Sequence, residues 1–264
     1  MRIVSLHSNR GGVGKTLIAS NLAMVYAKLG RRVCLLDLDF RAPSLSEVVQ
    51  LLPKHLINTV FDTNIDIWEV LTDVSSQYGT EGQLLVGLAD PSLDSIREIA
   101  EKGKKWEINA FKKLLSIKRE LIEKDVEYII FDTSPGMLYS SVNAVASSDI
   151  VICVTTADIL DIKETQRMIA DLYRAFDKPT YLFFNKVIPR SQWEEKDRNA
   201  IMKKLSKLFP ATILTIVPCC CDLLNSRMKI YSLTKPNHPF SQAIYDVANK
   251  LDEIDLSNNL SIVG

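Results

Sequence analysis

The sequence predicts an α/β fold in three layers, with a mostly parallel central sheet of about seven or eight strands and helices on both faces. Three observations point there. Short β-rich apolar runs alternate along the chain with segments of helical period, as a parallel sheet covered on both sides requires. Several of the runs end in a polar residue, Asp37, Asp132 and Asn185 among them, where such a sheet presents its carboxyl edge. Open α/β sheets bind ligands at that edge. The 264 residues also hold no low-complexity tract, internal repeat or Pro/Gly-rich linker, which predicts one domain over 1–264.

The expected strands are 2–7, 32–37, 83–88, 127–132, 149–155, 179–185 and 213–217. Helices are expected near 15–29, 44–51, 93–102, 106–124, 138–147, 161–176, 192–208 and 238–253. The stretch 52–82 mixes helix and loop signals and fits neither pattern. Composition narrows the class further. Lys and Arg number 32 against 32 Asp and Glu, so the chain lacks the basic excess of a constitutive polyanion binder. No run of apolar residues is long enough to span a bilayer, and the N-terminus lacks the pattern of a secretion signal. The 5 cysteines follow no disulfide spacing, and the expected compartment is reducing and cytoplasmic.

The first strand runs directly into Arg10-Gly11-Gly12-Val13-Gly14-Lys15-Thr16, and a helix starts near Leu17. Glycines let backbone N–H groups turn inward around phosphate oxygens, and a helix N-terminus adds a favourable dipole. Lys15 is spaced to reach the β- and γ-phosphates, and the Thr16 hydroxyl to ligate Mg²⁺. Counted as G-x-x-x-x-G-K-[ST], the motif begins at Asn9 and lacks its first glycine. The candidate phosphate-binding residues are therefore Gly11, Gly12, Val13, Gly14, Lys15, Thr16 and Leu17.

Asp37 and Asp39 close the second strand in Leu36-Asp37-Leu38-Asp39-Phe40-Arg41-Ala42-Pro43-Ser44, two residues apart and so on one side of it. Ile129-Ile130-Phe131-Asp132-Thr133-Ser134-Pro135-Gly136 is an apolar strand ending in an acid and a Pro-Gly turn, the layout of an Mg²⁺-binding aspartate followed by a phosphate-sensing loop. Asn185 ends the 179–185 run, and Pro218 follows the 213–217 run.

The 10–16 segment resembles the deviant Walker A motif, KGGxGK[ST], of the ParA/MinD group of P-loop ATPases. The resemblance extends over most of the chain and implies the P-loop NTPase fold with ATP and Mg²⁺ as cofactors. It also implies a homodimer closed around ATP and an activating partner protein. Arg10 stands where the family has a lysine that reaches the partner subunit's nucleotide, and a guanidinium suits that role as a permanent bidentate cation. By the same resemblance Asp39, the second acid of a DxD segment, positions the attacking water, with Asp37 in the Mg²⁺ shell. Thr16 and Asp132 hold the metal, Asn185 bonds the adenine edge and Pro218 walls the base. The implied cellular role is spatial organisation, either DNA partitioning or placement of a cellular structure.

Ala42-Pro43-Ser44 is similar to a segment of the Mrp/Nbp35 branch, and with Cys219-Cys220-Cys221 it leaves open an ATP-dependent metal or iron–sulfur insertion chaperone. Arg10 leaves open a nucleotide-gated adaptor with little turnover. Between 97 and 124 there are 9 Lys and Arg against 5 Glu, with Lys105, Lys112 and Arg119 on one helical face. This is either a DNA or partner surface or a solvated face. The tail 251–264 carries Asp252, Glu253 and Asp255 and no Lys or Arg, so an anionic membrane is expected to repel it. His7, Cys34 and Cys153 fall inside strand runs and read as core.

Overall fold

The computed structural model describes residues 1–63, 65–188, 195–225 and 230–254. Eight strands form one sheet: β1 (Arg2–His7), β2 (Arg32–Leu38), β3 (Thr72–Asp73), β4 (Gln83–Gly87), β5 (Tyr128–Thr133), β6 (Ile150–Thr155), β7 (Thr180–Val187) and β8 (Thr212–Pro218). Their order is β3-β4-β2-β5-β1-β6-β7-β8, and every pairing is parallel except that of β3 with β4. The expected three-layer α/β architecture is what the chain adopts.

Strand alternation builds two cores. Val4 and Leu6 of β1, Val33 and Leu35 of β2 and Ile152 of β6 face the helices Lys15–Lys28 and Pro239–Glu253. Ile3, Cys34 and Leu36 face the other way, against Leu114, Ile117 and Leu121 of the helix Lys104–Glu123. Beyond β1 on that second side, Cys153, Leu182 and Phe184 pack with Leu172 and Tyr173. The strands at the centre are buried along their whole length, as a sheet covered on both faces demands. Cys34 and Cys153 are core residues as expected.

The sheet differs from the expectation at its edges. β3 is only two residues long, too short for any periodicity to register. The ambiguous stretch folds as three short helices, Asn58–Asp62, Ile67–Val70 and Ser75–Tyr78, around that strand. The helix expected over 161–176 starts at Ile159, because the Asp158 carboxylate caps it by accepting from the Leu160 and Asp161 amides. It ends in a π turn, Ile169–Tyr173. Among the described residues no helix is long and apolar enough to cross a membrane. Of the acidic tail, residues 255–264 lie outside the described residues.

Candidate functional site

β1 sits between β5 and β6, so its carboxyl end lies where the chain's crossovers change direction, and the glycine segment begins there. Gly14 caps the helix Lys15–Lys28 from a left-handed conformation (φ 102°), and its carbonyl accepts from the Ile18 amide at 3.0 Å. Only glycine fits. A Cβ at residue 14 would sit 2.6 Å from Asn185 Nδ2. That same Nδ2 donates to the Val13 carbonyl at 2.8 Å, and Lys186 Nζ donates to the Gly12 carbonyl at 2.6 Å. The end of β7 thus clamps the loop.

Lys15 folds back across the loop and donates to Ser8 Oγ at 2.9 Å, while Ser8 Oγ donates to the Arg10 carbonyl at 2.7 Å. Burial pulls the Lys15 ammonium below its usual range, and the nearby Asp132 and Asp39 carboxylates oppose that. Asp37 and Asp132 are register partners on β2 and β5. The oxygens Asp37 Oδ2, Asp132 Oδ1 and Asp132 Oδ2 are buried without a hydrogen-bond partner. Burial raises the Asp132 carboxyl to about 7, eased by Thr16 and Lys15, and holds Asp37 well above the usual carboxylate range. Orphaned carboxylate oxygens beside a threonine hydroxyl make an all-oxygen donor set, which fits a hard divalent cation such as Mg²⁺.

Asp39 is organised by its surroundings. Its carboxylate accepts from the Ser134 hydroxyl at 2.7 Å and from the Ala42 amide at 3.1 Å, and its own amide donates to Asp37 Oδ1 at 3.0 Å. The β5 turn therefore holds the β2 turn through one hydroxyl. Ser44 Oγ donates to Thr16 Oγ1 at 3.2 Å. A cleft of about 610 Å³ opens over these groups, with Gly11, Gly14, Lys15, Thr16, Asp39 and Asn185 in its wall.

The structure brings together most of the residues predicted from the sequence, at one end of the sheet. Val13 is turned into the core instead of the cleft. Pro218 ends β8 opposite Val187, and the far wall of the cleft is formed by Cys219, Cys220 and Leu223. Arg10 lies at the cleft's side, its Nε 2.6 Å from Glu164 Oε2 and its Nη1 3.7 Å from Asp158. Asn9 Nδ2 donates to the same Glu164 oxygen at 2.9 Å. Ser8, Glu164 and Lys186 join the site without having been predicted, and Ser134, inside the predicted phosphate-sensing loop, takes the specific role of holding Asp39. Lys186 adjoins Asn185 and Ser8 lies two residues before Arg10, so proximity in sequence was the available signal. Glu164 lies 154 positions from Arg10 and carried none.

The cysteine run is split. Cys219 and Cys221 are exposed and Cys220 is half-buried. Cys220, Asp222 and His238 bring possible ligand atoms within 4.8 Å of one another. However, His238 Nδ1 accepts from the Phe240 amide at 3.1 Å while Nε2 faces Asp222 at 3.3 Å. In the neutral ring the proton then sits on Nε2, the wrong tautomer for a ligand at that nitrogen. His7 is the satisfied core residue expected of it, with both ring nitrogens bonded.

Residues 1–180 match the model of a family described as an AAA domain. The septum site-determining protein MinD of Thermotoga maritima is 34% identical over 167 residues, which cover 63% of this chain and 56% of that protein. The chain thus spans little more than half the length of that relative. In fold it is similar to MinD of Pyrococcus horikoshii complexed with Mg-ADP, at 19% identity and a TM-score of 0.75, with 96% of each chain covered. It is also similar to a plasmid partition protein of Borrelia burgdorferi bound to AMPPNP, at 19% identity and a TM-score of 0.71, over 96% of this chain and 99% of that one. With the glycine loop at the end of β1 and similarity in sequence and fold to MinD and plasmid partition proteins, the chain, matched by the family model over most of its length, belongs to the AAA-domain family.

Proposed function

We propose that this chain is one domain that binds and hydrolyses ATP with Mg²⁺, and that it works as a dimerisation switch in spatial organisation, either cell division or DNA partitioning. The observation that carries this reading is the meeting at one sheet edge of the clamped glycine loop, Lys15, and the partnerless Asp37 and Asp132 oxygens. Backbone amides of Gly11 to Leu17 and the Lys15 ammonium hold the phosphates, and Thr16, Asp37 and Asp132 supply oxygens to the metal. Bound there, Mg²⁺ would supply charge neutralisation at the β- and γ-phosphates. Asp39, fixed by Ser134, orients the attacking water. Asn185 and the wall beyond Pro218 face the base.

Arg10 acts across the dimer on the partner's nucleotide, which requires it to leave Glu164. Turnover is slow until an activating partner protein favours that arrangement. The names of its relatives support a role in spatial organisation, since one is a septum site-determining protein and another a plasmid partition protein. The DNA version rests on Lys105, Lys112 and Arg119, all exposed on one face of the helix Lys104–Glu123. Its test is salt-dependent binding to duplex DNA with ATP present and absent.

Sedimentation of the purified chain with ATP and Mg²⁺, with ADP and Mg²⁺, and without nucleotide tests the switch. A dimer with ATP alone is the expected result. A monomer under all three conditions contradicts the dimerisation reading, and tight nucleotide binding without turnover favours the adaptor.

A further inference from the structure

His7 occupies an unusual place for an imidazole. It is fully buried at the end of β1, directly before the phosphate loop. Its Nε2 lies 2.8 Å from the Gly136 carbonyl and its Nδ1 2.7 Å from the Tyr173 hydroxyl. A carbonyl only accepts, so Nε2 carries the proton and donates. Nδ1 of the neutral ring must then accept from the tyrosine. Burial favours that neutral ring by drawing its pKa down to about 4. The tautomer follows from the partners alone.

The two partners belong to different working parts. Gly136 ends the Ser134–Gly136 turn and has φ 76°, and its amide donates to the Ser8 carbonyl at 2.8 Å. Both backbone groups of Gly136 are therefore fastened to the end of β1. That turn carries Ser134, which holds Asp39. Tyr173 closes the π turn that ends the helix begun at Ile159, the same helix from which Glu164 holds Arg10. A π turn rotates the following side chains relative to a continuous α-helix, and here the Tyr173 ring meets the His7 ring edge-on at 5.8 Å.

We propose that His7 and Tyr173 are positioning residues for the γ-phosphate side of the nucleotide site. His7 fixes the Gly136 carbonyl, and with it the Ser134 turn over Asp39. Tyr173 donates to the Nδ1 left free of a proton and ties that turn to the helix that anchors Arg10. This inference rests on the nucleotide reading above. It adds that discrimination between nucleotides with and without a γ-phosphate depends on a buried imidazole that touches neither.

The test compares affinities for ADP and for a non-hydrolysable ATP analogue, both with Mg²⁺, in the wild type and three variants. In His7→Gln the amide nitrogen takes the place of Nε2, keeping the bond to Gly136 but losing Tyr173. In His7→Asn the amide takes the place of Nδ1, keeping Tyr173 but losing Gly136. Tyr173→Phe keeps the ring volume and frees the imidazole. His7→Asn is expected to weaken the analogue by about tenfold, roughly one lost net hydrogen bond, while ADP stays within about twofold. His7→Gln and Tyr173→Phe, which both keep Gly136 and lose the Tyr173 link, are expected to weaken the analogue alike and by less, about threefold. If the three variants shift both nucleotides together, or His7→Asn and His7→Gln behave alike, the pair is merely structural and the proposal is overturned. A wild type that binds neither nucleotide overturns instead the reading on which it rests, and the two failures are thereby told apart.

Discussion

Arg10 and Glu164 meet within one chain, Nε to Oε2 at 2.6 Å, so the cation that would act on a partner's nucleotide is held against its own subunit. The pair is part-exposed, and Asn9 binds the same carboxylate oxygen. If Glu164 restrains Arg10, then Glu164→Ala dimerises with ATP at a several-fold lower protein concentration than the wild type, because less is lost in freeing the guanidinium. Arg10→Ala serves as the control and does not gain. Concentration-dependent sedimentation reads both, and an unchanged or weakened Glu164→Ala dimer removes the restraint.

The Asn185 clamp gives a prediction about the loop itself. Gly14→Ala places a methyl 2.6 Å from Asn185 Nδ2 and forces alanine to φ 102°. The cost is about 2 kcal/mol of stability, together with loss of nucleotide binding. In the Gly14→Ala background, Asn185→Ala relieves the contact but not the dihedral, so it restores only part of the loss. Denaturant midpoints and nucleotide titration check the pair. Full rescue would mean that the contact alone mattered.

His7 sets a pH signature. Its folded pKa of about 4 lies below the unfolded value of 6.5, so the unfolded chain binds the proton first as pH falls. Its contribution is intact above pH 6.5 and is lost between there and about pH 4, amounting to about 3 kcal/mol at most. Asp132, raised to about 7, acts in the opposite sense in the same window. The measurable quantity is therefore the difference between wild type and His7→Gln, whose stabilities should converge as pH drops from 7 to 4. Parallel curves would show that His7 does not titrate in this way.

The Ser134 hydroxyl holds the Asp39 carboxylate at 2.7 Å, so removing it loosens the residue that would orient the water. Ser134→Ala is expected to lower kcat by about tenfold while leaving KM within about twofold. Steady-state kinetics separates this from a binding defect, which would raise KM instead.

Where apolar periodicity or a glycine was demanded locally, the sequence made the structure legible. β1, β2 and β5 read correctly because their side chains are buried on both faces, and β2 and β5 turn polar toward their ends at Asp37 and Asp132. The phosphate loop was legible because a left-handed cap at residue 14 admits little besides glycine. Contacts between distant segments were not. Glu164 on Arg10 and Ser134 on Asp39 join positions 154 and 95 residues apart, and no local pattern encodes such pairs. β3 is too short for a period of two, and the π turn at Ile169–Tyr173 looks in sequence like continued helix. The base wall was expected at Pro218, whereas the cleft is lined just beyond it by Cys219 and Cys220.

The central claim is that the loop around Lys15 binds ATP for hydrolysis. Phosphate release by wild type and by Lys15→Ala, each with Mg²⁺ and with Mg²⁺ chelated, tests it most directly. Turnover in the wild type should require Mg²⁺ and fall by at least about a hundredfold in Lys15→Ala, since a phosphate-charge contact made in the transition state is removed. Equal release by the two proteins, or release that is indifferent to Mg²⁺, would contradict it.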